Sequence, residues 1–315
     1  MKLRERFSDP SIIQKINEIE NLPENKKKID DIKKSLKNKM SKNFQLGIRC
    51  LALSLIACRI LREYAFILVV FIWVYFYNNY SKNKGDITDS YISNFLEPVL
   101  EEVLPDTKID YFGDMDLDVL SSVVQASNIY YSNCHITFGD EYKTEFCNMH
   151  ATHYERNEEK KLEEVENYRG QVLLAHLETG ISGHIRVVPV SKKLSSGRKL
   201  HKPYGEKRDE EKEIETESID FNEKYSIFST DDFYTKLILD AYLIDFLNKI
   251  RDRRKVSIYM NEKYIAISFR SKSELFSLPI IQNDIDRLSL SGEYEQLRNK
   301  LVDFYELTDI ILKNF

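Results

Sequence analysis

The sequence predicts an α+β protein: an N-terminal helical arm, a two-helix transmembrane hairpin, then a soluble domain of antiparallel strands with flanking helices. Three observations lead there. Residues 44–77 form one apolar block, FQLGIRCLALSLIACRILREYAFILVVFIWVYFY, far more hydrophobic than anything else in the chain. A lysine-rich stretch of helical periodicity precedes it. After it come short runs of period-two alternation and a hairpin signal, interleaved with helical stripes.

The arm covers residues 1–43. Asp9-Pro10 is a helix start, with aspartate as cap and proline in the first turn. Ile12, Ile13, Ile16, Ile19 and Leu22 make an apolar stripe, which Pro23 interrupts and Ile29, Ile32, Leu36 and Met40 resume. Two amphipathic helices follow from this pattern. Such helices lie on a membrane, pair with another helix, or fold back on the domain that follows the spans.

The hairpin covers residues 44–80. As one helix the block would measure roughly 50 Å, against a hydrocarbon core of about 30 Å. The polar trio Arg62-Glu63-Tyr64, with Arg59 just before it, divides it into spans at 44–61 and 64–80. The second is apolar on every face, and Tyr64, Trp73, Tyr75, Tyr77 and Tyr80 suit the interfacial belts. The first carries Arg49 and Arg59 near its ends, where arginine reaches the headgroups. The competing reading lays residues 44–61 in the interface and lets only the second span cross. A secretory signal is not expected: the apolar stretch begins late and no small-residue cleavage site follows.

Orientation follows from basic residues beside the spans. Lys26, Lys27, Lys28, Lys33, Lys34, Lys37, Lys39 and Lys42 precede the block, and Lys82 and Lys84 follow it. Two spans with both termini in the cytoplasm keep all ten on one side, where they are the expected membrane-surface contacts. Residues 1–80 hold 15 Lys/Arg and 8 Asp/Glu, a net of +7; residues 81–315 hold 31 and 43, a net of -12. The basic part suits anionic lipid. The acidic part argues against nucleic acid as a partner. Four cysteines make no disulfide framework, as expected in a reducing compartment.

Residues 81–315 read as the soluble α+β domain. Residues 86–104 are helical, ended by Pro105, and residues 115–126 form a second helix capped by the acidic turn Asp114, Asp116, Asp118. Strands are expected at 142–154, 168–177, 184–190 and 225–228, and a helix at 231–250. Runs 255–260 and 264–269 flank Asn261-Glu262-Lys263 as a hairpin. Two helices close the chain, at 282–289 and 294–312. Residues 191–218 carry Ser, Gly, Pro and charge with few large apolar residues, and are expected as a flexible charged loop.

This order of segments resembles a bacterial membrane-protein family known only as domain of unknown function number 3137. The carrying residues are Tyr168-Arg169-Gly170, then Gly183-His-Ile-Arg-Val-Val-Pro, then Phe221-Asn-Glu-Lys-Tyr-Ser-Ile-Phe-Ser-Thr-Asp-Asp, then Val256-Ser-Ile-Tyr and Tyr264-Ile-Ala-Ile. The resemblance implies a basic arm, a hairpin of two short spans and a cytoplasmic α+β domain in the inner membrane of a bacterium. It implies no catalytic residues.

The one cluster with metal-ligating chemistry is Cys134-His135 with Cys147, His150 and His153, four or more nitrogen and sulfur donors within 20 residues. Its spacing is poor: there is no CxxC pair, and in a strand neighbouring side chains point apart. A Cys–His nucleophile in the same window lacks an orienting third group. No cofactor is predicted. The expected function is therefore a membrane-anchored cytoplasmic binding or scaffold protein whose partners are the bilayer and another membrane-associated protein. The alternatives are a membrane-bound enzyme with a site around Cys134 and His153, and an anionic-lipid-sensing module.

Overall fold

The computed structural model describes residues 7, 9–156, 161–279 and 281–313. They fall into two units. Of the described residues, the smaller holds those within Asp9–Val103 and Phe276–Gln296; the larger holds Phe7 and those within Leu104–Leu275 and Leu297–Phe315.

The smaller unit is helical. Helix α1 (Pro10–Asn21) starts where predicted, with Asp9 Oδ1 accepting from the Ser11 amide at 2.8 Å. Pro23 opens α2, but α2 does not stop at the end of the arm. It runs as one 39-residue helix, Pro23–Leu61, about 58 Å long, so the second arm helix and the first apolar span are continuous. A short 3-10 turn at Arg62–Tyr64 ends it, with Arg62 at φ 43°, and α3 (Ala65–Tyr91) returns along it. The helix breaks at Arg62 because a positive φ cannot continue a right-handed helix.

A π-turn over Ile92–Leu96 joins α3 to α4 (Glu97–Val103). Ser93 and Asn94 donate to the carbonyls of Asp89 and Ser90, four residues back, which loosens the backbone ladder at that point. The arm packs on protein: Lys15 pairs with Glu102 at 2.7 Å, and the Ser291 amide donates to Glu20 at 3.0 Å. Both partners, Glu102 and Ser291, lie on helices of this same unit.

Helices α9 (Gln282–Arg287) and the first turns of α10 (Leu290–Leu312) complete this unit. There the Tyr91 hydroxyl donates to buried Glu293 at 2.8 Å. Burial raises the Glu293 carboxyl to about 6, and the tyrosine bond only partly offsets it. A carboxyl with a raised folded-state pKa favours the fold below its unfolded value and loses that contribution as pH rises through about 6. Glu293→Gln is therefore expected to stabilise the protein by about 2 kcal/mol at pH 8 and little at pH 4. Melting temperatures of both forms across that range check it.

The larger unit is built on one antiparallel sheet of nine strands, ordered β1-β2-β3-β4-β11-β10-β5-β9-β8. The strands used below are β1 (Lys108–Asp110), β2 (Ile129–Thr137), β3 (Glu145–Arg156), β4 (Leu162–His176), β5 (His184–Pro189), β9 (Tyr225–Ser229), β10 (Val256–Asn261) and β11 (Tyr264–Arg270). Strand β5 lies between β10 and β9, and all six of its residues are buried, as befits a central strand. The β10–β11 hairpin works without glycine because Asn261 Oδ1 accepts from the amides of Lys263 and Tyr264. Helix α5 (Leu117–Val123), capped by Asp116, packs Val119, Leu120 and Val123 into a core with Val172, Leu174 and Ala266. The predicted 231–250 helix is two helices, α7 (Asp232–Ile238) and α8 (Ala241–Arg251), because Leu239 leaves helical geometry and Asp240 caps a new start. Helix α8 packs on β10.

Residues 191–218 depart from the expected loop. They hold β6 (Lys192–Lys193) and β7 (Lys199–Leu200), which pair with each other, and β8 (Lys212–Ile214), which joins the main sheet against β9. The fastening is ionic. Arg186 on β5, 1 % exposed, places Nε 2.6 Å and Nη2 2.8 Å from the two oxygens of Glu211. It also donates to the Glu206 carbonyl at 2.9 Å, while the Arg208 amide donates to Glu211 at 2.7 Å. The segment is thus held by a buried arginine together with Tyr204, which is buried in the core against Tyr168.

Candidate functional site

The apolar hairpin is the first candidate. Segments within Pro23–Ile60 and Arg62–Val103 are long and apolar enough to cross a membrane, and only 17 % and 6 % of those segments is buried. The core helix of a soluble protein would be mostly covered. Here Phe44 is 71 % and Phe66 76 % exposed. A groove of about 500 Å³ opens between α2 and α3, walled by Phe44, Gly47, Ile48, Leu51, Trp73 and Phe76. At Gly47 a Cβ would stand 3.4 Å from the Phe76 ring, an ordinary van der Waals contact. The Asn83 amide donates to Asn43 at 2.6 Å, tying the helices where apolar sequence gives way to lysine.

The ten lysines expected at the membrane surface divide into two groups. Lys26, Lys27, Lys28, Lys34, Lys42, Lys82 and Lys84 are exposed. Three are engaged by protein: Lys33 donates to the Asp286 carbonyl at 3.2 Å, Lys37 pairs with the Asp286 carboxylate, and Lys39 lies 3.4 Å from Asp86.

The five metal candidates lie on two adjacent strands, and among the described residues no group of three or more His, Cys, Asp or Glu is placed to hold a metal ion. Cys134 sits on β2 at a bulge, at φ 55°, and is buried. His135 points elsewhere, to Glu145 at 2.6 Å; the other oxygen of Glu145 meets His176, also at 2.6 Å. Cys147 on β3 is buried with its sulfur 3.8 Å from that of Met115. His150 packs its ring against Tyr131, 4.5 Å between centroids, and His153 reaches Glu155 at 2.5 Å. Both histidines lie on a strand, three residues apart, so they face opposite sides of it.

Burial pushes both thiols up, keeping them protonated at neutral pH. Cys134 and Cys147 are accordingly expected to resist a maleimide in the native protein and to react fully in denaturant, which mass spectrometry of labelled protein checks.

One constellation escaped the sequence reading. Arg169, Arg253, Arg254, Lys255, Arg270 and Lys272 line a cleft of about 590 Å³ in the larger unit. The signal was present as two basic islands, Arg251-Asp-Arg-Arg-Lys255 and Arg270-Ser-Lys272, within a part of the chain whose net charge is -12. Neither island stands out as a motif, because the sheet register alone brings them together.

Helical hairpin and antiparallel sheet define a protein with an apolar helical unit and an α+β unit. Residues 166–313 match the family model described as protein of unknown function (DUF3137), which bears out the resemblance read from the sequence over the C-terminal part of the chain. The match begins within β4 and leaves the arm and hairpin outside it. A crystal structure of the mycobacterial trehalose monomycolate transport factor A, TtfA, aligns over 68 % of this chain and 93 % of that one, at 10 % identity and a TM-score of 0.36, too low for the folds to be equated. The chain matches no curated protein.

Proposed function

We propose that this chain is a membrane-anchored binding protein, held by a two-span hairpin with both flanks, and the sheet unit, in the cytoplasm. The observation that carries it is the exposure of the apolar helices: few residues of either apolar segment are buried, and side chains such as Phe44, Phe66 and Phe71 are exposed. In water such a surface would drive aggregation; in a bilayer it is the ordinary state. The helix break at Arg62–Tyr64 fits a turn between two spans. Exposed lysines before and after the hairpin fit a common side for both flanks.

The alternative of an enzyme with a site around Cys134 and His153 loses support, since both thiols of the larger unit are buried and the five donors disperse. The partners are the bilayer and a membrane-associated protein, whose encounter the anchor promotes by raising local concentration. A free lipid-sensing arm is less well supported, because Lys33, Lys37 and Lys39 already have protein partners. The test places a cytoplasm-reporting fusion ahead of Asp9 and another after Phe315. Signal from both supports the reading; signal from one alone leaves a single span and removes it.

A further inference from the structure

The basic cleft of the larger unit has a construction of its own. Three neighbouring strands meet there: the Ser271 amide donates to the Arg169 carbonyl at 3.0 Å, and the Arg270 amide to the Lys255 carbonyl at 2.9 Å. This register sets the start of β10, the end of β11 and the middle of β4 side by side, so side chains distant in sequence converge.

Six cations line the cleft, and three carboxylates engage them. Arg169 is held by Glu166 at 2.5 Å, with Glu274 at 3.6 Å. Arg254 donates to the Asn299 carbonyl at 2.8 Å and lies 3.5 Å from Asp303; Arg253 is 3.9 Å from the same carboxylate. These contacts fix the rim. The remaining cations are different. Among the described residues, Lys255, Arg270 and Lys272 form no ion pair, and the Arg270 guanidinium makes one long bond, 3.3 Å, to the Asn167 carbonyl.

Six cations face three carboxylates, Glu166, Glu274 and Asp303, which leaves an excess of positive charge in a sheet unit that is otherwise acidic; such an excess is unfavourable without a further anion. Burial, then the charges of Arg251 and Arg270, pull the Lys255 ammonium below its usual value, as expected where cations crowd in a partly desolvated recess. A planar guanidinium with free donors beside an ammonium matches an oxyanion in shape as well as charge. The volume lies within the range of small-molecule sites.

We propose that this cleft is an oxyanion-binding site for a phosphate monoester or diphosphate group, with Lys255 and Arg270 as the binding residues and Lys272 at its mouth. The phosphate comes from a soluble ester or from a lipid headgroup. The inference deepens the binding reading by naming the chemistry recognised, but it does not depend on the anchor and survives a single-span topology.

The experiment uses the full chain in nanodiscs of phosphatidylcholine, at about physiological salt, with pyrophosphate as probe in calorimetry. Saturable binding is expected, weakened at least tenfold in Lys255→Met/Arg270→Gln and less in Arg270→Lys. Because the double variant risks misfolding, a second readout uses unmodified protein: pyrophosphate is expected to protect Lys255 from acetylation while exposed Lys82 reacts at an unchanged rate. Discs containing phosphatidic acid then separate the sources. Loss of pyrophosphate affinity there assigns the site to a lipid headgroup, and unchanged affinity assigns it to a soluble ester. No saturable binding, no protection of Lys255, or equal affinity in a folded double variant overturns the proposal.

Discussion

Arg186→Ala is expected to cost about 3–5 kcal/mol of folding stability, because it removes the guanidinium from buried Glu211 and leaves that charge only His184 and the Arg208 amide. Glu211 has no exposed side-chain surface and Arg186 has 1 %. Little of that loss is apolar packing, although the guanidinium also lies 5.1 Å from the Phe228 ring centroid. Replacing both partners together, Arg186→Met with Glu211→Leu, is expected to cost much less, since no charge is then stranded. The same network has a pH signature. Burial alone would raise the Glu211 carboxyl, but hydrogen bonds from His184, Arg186 and the Arg208 amide outweigh it and hold it at about 2. A depressed carboxyl contributes stability above its unfolded pKa and loses it as pH falls toward the folded value. Roughly 3 kcal/mol is expected to disappear between about pH 4.5 and 2. Denaturant unfolding of the single and double variants in detergent, followed across that window, checks both statements. A single-variant loss under about 1 kcal/mol would mean that something else fastens residues 201–214.

Phe71→Asp is expected to impair membrane insertion of α3. An aspartate at the centre of a spanning helix costs about 2.5–3.5 kcal/mol on insertion scales. Phe71 is 68 % exposed, so in a water-soluble protein the change would be close to neutral or improve solubility. The two environments thus predict opposite outcomes from one substitution. Alkaline extraction of membranes reads it: the unsubstituted protein stays in the membrane fraction, and a substantial share of the variant appears in the supernatant. Equal retention of both forms would argue against a span through Phe71.

The legible elements share a physical property: their signal is local. Asp9-Pro10 and Pro23 set helix starts because capping and the missing proline amide act within one turn. The β10–β11 hairpin declares itself by two alternating runs around a turn whose asparagine bonds its own neighbours. The elements that stayed hidden lack such a signal. Strand β2 breaks its alternation at the Cys134 bulge, and β1 is three residues long. Strand β8 lies in charged sequence and is held by Arg186 from 25 residues away. For the site, the five cysteine and histidine donors were visible as residue types, but their directions were not, because strand parity and the bulge send them to different neighbours. The Lys255 and Arg270 cleft was invisible for the converse reason: its residues carry no motif until the strands align.

By itself the sequence determined the apolar hairpin and its polar break, the basic and acidic halves, and the α+β class, since hydrophobic periodicity and net charge are properties of the chain read in order. Only the tertiary structure decided that the arm packs on helices of its own unit and that the charged 191–218 segment is stapled to the sheet. The same is true of the cations from three strands that meet in one cleft. Each of these rests on partners distant in sequence, and which partner a charge finds is set by strand register and helix packing, not by its neighbours along the chain.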